Sequence, residues 1–331
     1  MEEPMRILFD TNVWRYIVDV GAEKEVRTLS RRNCRKIVVA PSTAYETLRL
    51  PDIQLRDRII ALIADDAWVR LMPEAFSESE ELKKEIRRLR PEWLRANPEL
   101  VLYRQLRFDW MRRTGGFWSR LEKNAQKELD ALGLLGDQET LERARNEAYE
   151  SRKFTSGVSQ REAHVGLNKI FGRPMTLLPG WRGDDVEFWR LSSRRVFQHV
   201  FEEALFYGTS SAYLDWLGGE VDAISVLADP ASFSRFWLYE ANIQTLPRFW
   251  LRGAFEFLQS FHKVTDGTPC DSQLATYLLE ADFIVSADKN FVRFVNRCRD
   301  EGPFHIAQGK LISGGALGVE ELLNFLAMKS K

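Results

Sequence analysis

RILFD (6–10), followed without a break by TNVWRYIVDV (11–20), decides how this chain reads. The first five residues are a short apolar run ending in an acid, the length and composition of a buried strand. The next ten carry apolar residues at helical spacing behind Thr11 and Asn12, both good helix-starting residues. The order recurs when KIVVA (36–40) leads into PSTAYETLRL (41–50), where Pro41 suits a first helical turn. Toward the other end, CDSQLATYLLEA (270–281) reads as a helix and DFIVSAD (282–288) as a strand. FHIAQ (304–308) reads as another strand and GVEELLNFLAM (318–328) as a closing helix. Strands that alternate with helices imply βαβ units and a parallel sheet. The expected fold is therefore α/β, a three-layer α/β/α sandwich around a central parallel sheet.

Between these two parts the pattern is helical throughout. ELKKEIRRLR (81–90), ETLERARNEAYESRKF (139–154), RRVFQHVFEEALFYG (194–208) and RFWLRGAFEFLQSF (248–261) space their apolar residues at i, i+3 and i+4. The chain thus divides into an α/β domain, residues 1–73 and 262–331, and a large all-helical insertion, residues 74–261, a candidate substrate-selecting or lid region. No Gly/Ser-rich or Pro-rich linker joins them, so the insertion is expected over or beside the α/β cleft. FSESEELKKEIRRL (76–89) reads as a helix start, with serines to cap it and acids for its first turn.

Composition narrows the class without naming a partner. At 331 residues and 44% hydrophobic, the chain has ample material for a core, and its net charge of −1 means that any anion-binding surface must be local. Cys34, Cys270 and Cys298 are odd in number and far apart, which argues against a disulfide framework or zinc knuckle. His164, His199, His262 and His305 show no metal-ligand spacing. The start MEEPMRILFD lacks the features of a signal peptide, and no apolar run reaches the ~18 residues of a membrane span. A cytoplasmic protein with no membrane association is expected.

The acids fall where chemistry is usually done. Asp10 ends the first strand and Asp288 follows FIVSA, and ligands of open parallel sheets bind at the carboxyl ends of strands. Glu46 lies in the first turns of the helix after KIVVA, and Asp271 at the start of the helix before Asp288. All four can converge on one sheet edge. A cluster of carboxylates needs a cation to stay ionised, and all-oxygen ligation suits Mg²⁺ or Mn²⁺. Each acid taken alone has a plainer role: a helix cap for Asp10 or Asp271, a solvated helix residue for Glu46, a turn residue for Asp288. Taken together, those plainer roles require four coincidences in the right order.

The DTN of Asp10–Asn12, the mid-helix Glu46 and CDSQLATYLLEADFIVSADKNF (270–291) resemble the PIN-domain nucleases. The resemblance covers about 50 N-terminal and 70 C-terminal residues, and it implies an active site of Asp10, Glu46, Asp271 and Asp288 holding Mg²⁺ or Mn²⁺. It makes Thr11, Asn12, Ser286 and Asn290 supporting residues, Ser286 standing where the family has a threonine or serine. Asn290 departs from the family, which often has an acid there. The insertion is also far larger than anything in the small toxin ribonucleases.

The implied activity is hydrolysis of phosphodiester bonds in nucleic acid, RNA favoured over DNA and single-stranded or looped RNA above all. Rival readings are a structure-specific DNA nuclease, its insertion arching over the strand, and a PIN-like binding or scaffold protein with little catalysis. Nothing indicates a protein partner such as an antitoxin, and the oligomeric state stays open.

Residues 81–120 hold eleven Lys/Arg against five acids, so Arg87, Arg88, Arg112 and Arg113 are candidate phosphate contacts. Trp93, Trp110 and Trp118 interleave with them and suit either base stacking or a helical core, the core being favoured.

Overall fold

The computed structural model describes residues 4–132, 166–206, 208, 211–261 and 268–328. The segment 139–154, His164 and His262 lie outside the described residues, as does the side chain of Cys270. Five parallel strands form the central sheet: β1 (Met5–Phe9), β2 (Arg35–Val39), β3 (Val69–Arg70), β6 (Phe283–Ser286) and β7 (Gln308–Leu311), in the order β3-β2-β1-β6-β7. The chain walks outward from β1 through β2 to β3, then returns to the other side of β1 through β6 and β7. The direction of the walk therefore reverses between β1 and β6, which makes that pair the topological switch point.

The strands are apolar on both faces because both faces are covered. Ile7, Phe9, Ile37, Val39 and Val285 pack beneath α1 (Thr11–Val20), α2 (Glu23–Arg32), α4 (Ile53–Ile63) and the closing helix Gly315–Ala327. Leu8, Val38 and Ile284 point the other way, into a core that also holds Leu82, Ile86, Phe188, Trp250 and Phe255. Those last five belong to the insertion, so the insertion supplies a layer of the fold rather than hanging beside it. Fully burying each such side chain contributes roughly 1.5–3 kcal/mol.

Polar contacts fasten the same layer. Acids of α5 (Glu74–Leu89) meet arginines of the Pro247–Ser260 helix. Arg252 donates to Glu78 at 2.9 Å, and Arg248 bridges Glu81 to Glu280 of the α/β part. Tyr277 of the α/β part donates to Glu74 at 3.1 Å, and Arg88 to Glu85 at 2.9 Å.

Four details differ from the sequence reading. α5 begins at Glu74 after Pro73, so Ser77 and Ser79 lie inside the helix, and Glu78, Glu81 and Glu85 are buried partners rather than first-turn decoration. The insertion is not all-helical, because β4 (Phe171–Gly172) and β5 (Val186–Glu187) form an antiparallel pair. The last strand starts at Gln308 rather than Phe304: Ile306 and Ala307 are buried, and the backbone of Ala307 pairs with Leu278 before Gln308 joins the ladder opposite Phe283. The helix expected over 270–281 runs over Thr268–Thr276 and tightens over Tyr277–Leu279.

Candidate functional site

The parallel register builds the site. Phe9 lies opposite Val285, so the next residues, Asp10 and Ser286, stand side by side as the two central strands end. Asp10 continues the ladder by donating its N–H to Val285 O at 3.0 Å, then caps α1, Oδ1 accepting from Thr11 N at 2.6 Å. Its other oxygen, Oδ2, accepts from the Ser286 hydroxyl and from the Asn12 amide, each at 2.5 Å. Asn12 turns its amide oxygen to Ala287 N at 3.1 Å, and Ser286 Oγ accepts from Asp288 N at 2.9 Å. Thr11, Asn12 and Ser286 thus lock the ends of β1 and β6 into one network around Asp10.

β2 delivers the third acid. Leu8 pairs with Val38, so α3 (Pro41–Leu48) starts beside the end of β1, and Pro41 occupies its first turn. Glu46, on α3, accepts from the Thr11 hydroxyl. Asp271 lies in the first turn of the Thr268–Thr276 helix, which starts three residues earlier, so it is not the helix cap that it resembles in isolation. Asp288 is exposed and does cap, its Oδ1 accepting from Asn290 N at 2.7 Å and Phe291 N at 3.0 Å. Asn290 is exposed and contributes its backbone to that cap.

The electrostatics bring the four acids together. Burial pushes the Asp271 carboxyl well above the usual range, and repulsion by Asp10, Glu46 and Asp288 pushes the same way. Burial raises Asp10 too, against hydrogen bonds from Ser286, Thr11 and Asn12, and Asp288 adds repulsion. Glu46 is raised to about 6, by burial first, with Asp10 adding to it while the Thr11 hydroxyl and Arg49 oppose. Among these opposing influences, Arg49 is the one cation, and it acts on Glu46.

A ready-made ligand set is not what the side chains form. Among the described residues, no three His, Cys, Asp or Glu are arranged to hold a metal ion. The hydrogen bonds explain why: Asp10 spends both oxygens on its neighbours, Glu46 is turned to Thr11, and Asp288 to its own helix. The donor chemistry suits a hard divalent cation, and binding one requires these carboxylates to exchange internal hydrogen bonds for it.

One residue at the site carried no sequence signal. Gln259, at the end of the Pro247–Ser260 helix, hydrogen-bonds Asp271 and accepts from the Ser272 hydroxyl at 2.6 Å. It belongs to the insertion, so that layer touches the acid cluster directly. Only its place in an apolar helix next to the α/β segment could have hinted at this.

The proposed nucleic-acid contacts sort into three groups. Arg87 pairs with Glu220, Arg88 with Glu85, and Arg112 with Asp109. Arg113 is exposed, with no ion pair among the described residues. Trp93 and Trp118 are buried core residues, and Trp110 packs against Phe117 with ring centroids 4.0 Å apart and the rings tilted. Of the histidines, His199 is exposed beside Glu203 at 3.2 Å and His305 is exposed. Cys34 and Cys298 are free thiols. No described helix is long and apolar enough to cross a membrane.

Compared with models of known families, with curated proteins and with solved structures, the chain matches none.

Proposed function

We propose that the chain is a metal-dependent nuclease of PIN type, acting on single-stranded or looped RNA. The observation that carries this reading is the acid cluster itself. Asp10, Glu46 and Asp288 each add repulsion at Asp271, and Asp10 adds it at Glu46, beside the switch point of a parallel sheet, while Arg49 opposes at Glu46. Sites of strongly raised carboxylate pKa are where such folds do chemistry.

Asp10, Glu46, Asp271 and Asp288 would hold Mg²⁺ or Mn²⁺. A bound ion of this kind supplies positive charge for a scissile phosphate and acidifies water toward neutrality. Ser286 and Asn12 fix the rotamer of Asp10, and Thr11 fixes that of Glu46. Gln259 holds Asp271 from the insertion side.

The surface of α6 (Val101–Met111) supports a nucleic-acid substrate. This helix buries no residue, and it exposes Arg104, Arg107 and Phe108, with Arg113 just beyond its end. None of these three arginines has an ion pair among the described residues, unlike Arg87, Arg88 and Arg112. Arginines beside an exposed aromatic ring suit a single strand, which offers phosphates and unpaired bases together. An aromatic chain leads from this helix to the site: Trp110 packs against Phe117, and Phe117 meets Tyr45, the neighbour of Glu46 in the chain, at 6.3 Å.

The reading as a binding or scaffold protein is favoured by one feature, the internal hydrogen bonds that occupy Asp10 and Asp288. Labelled RNA and DNA, single-stranded and duplex, incubated with EDTA, Mg²⁺ or Mn²⁺, decide between the two. Metal-dependent cleavage of single-stranded RNA is the expected result. Binding without cleavage in every metal would leave the scaffold reading, and preferential cleavage of branched or duplex DNA would favour the structure-specific DNA nuclease.

A further inference from the structure

A second site lies within the insertion, and it is the electrostatic opposite of the first. The long helix Phe188–Phe206 sets Phe188, Leu191, Arg195 and Gln198 along one face, and the loop from Pro174 to Leu178 closes over them. The cavity between has a volume of about 260 Å³. Its walls are Pro174, Met175, Leu178, Phe188 and Leu191, and Arg194 lines it as well.

Arg194 is 7% exposed and meets no carboxylate within ion-pair distance among the described residues. Nε donates to the Ser234 hydroxyl at 3.1 Å, Nη1 donates to Gln198 Oε1 at 2.8 Å, and the guanidinium lies 5.6 Å over the Phe233 ring. All of these partners are neutral. Nη2 has no partner among the described residues. Arg248, Arg252, Arg90 and Arg190, also largely withdrawn from water, each meet a glutamate. Burial without a countercharge lowers the pKa of Arg194, with Glu202 nearby opposing. Arg195, exposed at the rim, adds a second guanidinium with no partner among the described residues.

We propose that this cavity binds a small organic anion, a carboxylate or phosphate monoester carried on an apolar body. The oxyanion sits on Arg194 Nη2 and Arg195, and the apolar body lies between Met175, Leu178, Phe188 and Leu191. A buried guanidinium without a countercharge is costly, and its N–H groups match an oxyanion geometrically. A bare ion would leave the apolar walls wet, whereas a neutral hydrocarbon would desolvate Arg194 further without compensating its charge. The ligand therefore needs both parts. At about 260 Å³ the cavity falls just below the ~300–1,000 Å³ of common ligand pockets, which makes the ligand a compact one. Ser234 and Gln198 hold the guanidinium in place before the ligand arrives. This inference does not depend on the nuclease reading.

The test is calorimetric titration of the full chain with octanoate and adenosine 5′-monophosphate, against octanol and octylamine as neutral and cationic controls. At least one anion is expected to saturate with a Kd at least tenfold below both controls. Octanoate binding would assign the carboxylate class, and the nucleotide the phosphate class. Arg194→Met is expected to weaken that anion at least tenfold, and Arg195→Gln severalfold. Because Arg194 is buried, Met175→Glu at the exposed mouth serves as a second variant that leaves the core untouched, and it too should abolish anion binding. The proposal is overturned if neither anion outbinds the controls tenfold, or if Met175→Glu binds the anion as the parent does.

Discussion

The glutamates Glu78, Glu81 and Glu85 of α5 and the acids Asp10, Glu46 and Asp271 near the β1–β6 edge are withdrawn from water, but only the first set forms ion pairs with arginines among the described residues. Glu78 and Glu85 are fully buried, and each is paired: Glu78 with Arg252, Glu85 with Arg88. Glu81 is held by Arg248, though burial still lifts it to about 7. At the strand ends, hydroxyls and amides take the place of arginines, and the acids repel one another. A buried charge that is paired within the chain is part of the scaffold. One that is left unpaired either keeps its proton or is completed by something from outside. The contrast therefore separates structural acids from candidate ligands better than burial alone does.

The largest effect should come from exchanging one acid of each kind. Asp10→Asn or Asp271→Asn is expected to lower cleavage on the order of 10³-fold, since a bound cation supplies several kcal/mol to such a reaction. The melting temperature of Asp271→Asn should stay the same or rise, because a mutual repulsion is removed. Wild-type cleavage by either variant would refute the site assignment.

Glu78→Ala should do the reverse. It leaves Arg252 buried without its partner, a loss of about 3–5 kcal/mol of stability with little direct effect on chemistry. Combining Glu78→Leu with Arg252→Met should recover much of that loss, and a double variant no more stable than Glu78→Ala would contradict the pairing.

A smaller effect is expected from pH. Glu46 rises from an ordinary 4.5 to about 6 on folding, so the folded state holds its proton more tightly than the unfolded state. Stability is then highest below pH 4.5 and falls as pH climbs through 6, by about 2 kcal/mol for this one group. Glu81, raised to about 7, contributes a fall of the same sign. Mn²⁺ separates the two regions. It should raise the melting temperature at pH 7.5 more than at pH 5, and Asp10→Asn should remove that gain while Glu81→Gln keeps it. An equal Mn²⁺ shift at both pH values would count against the metal.

The smallest effect is at α6. Reversing Arg104, Arg107 and Arg113 to glutamate should lower the salt slope of single-stranded RNA binding by ~0.7 per lost phosphate contact. Reversal of Arg87, which is paired with Glu220, should change stability instead. An unchanged slope in the triple variant would return α6 to plain solvated surface.

How much of this was legible in the sequence follows from the range of the interactions involved. RILFD and FIVSA announced β1 and β6 because strand signals are local, and the position of Asp10 and Asp288 at strand ends followed at once. The helices of the insertion were legible from periodicity, but their destination was not. Leu82, Trp250 and Phe255 carry no mark saying that they pack under Leu8 and Ile284 rather than in a separate domain. Glu78 and Glu81 read as first-turn acids because their partners, Arg252 and Arg248, lie more than 160 residues away. Gln259 escaped for another reason: an amide near the end of an apolar helix carries no local mark of Asp271, the acid that it meets only a short way along the chain. FHIAQ misplaced the last strand because its apolar residues plug the sheet end instead of joining the ladder.

The bond from Ser286 to Asp10 joins residues 276 positions apart. At roughly 5–20 residues per second of synthesis, Asp10 emerges on the order of 14–55 s before the strand that completes its surroundings. Until then β1 has an open edge and its acid no neighbour from β6. Pairings this distant in sequence also form slowly, because the loop must close before the contact rewards it. A product of translation interrupted before Asp271 therefore carries Asp10 and Glu46 but neither of the two later acids, Asp271 and Asp288.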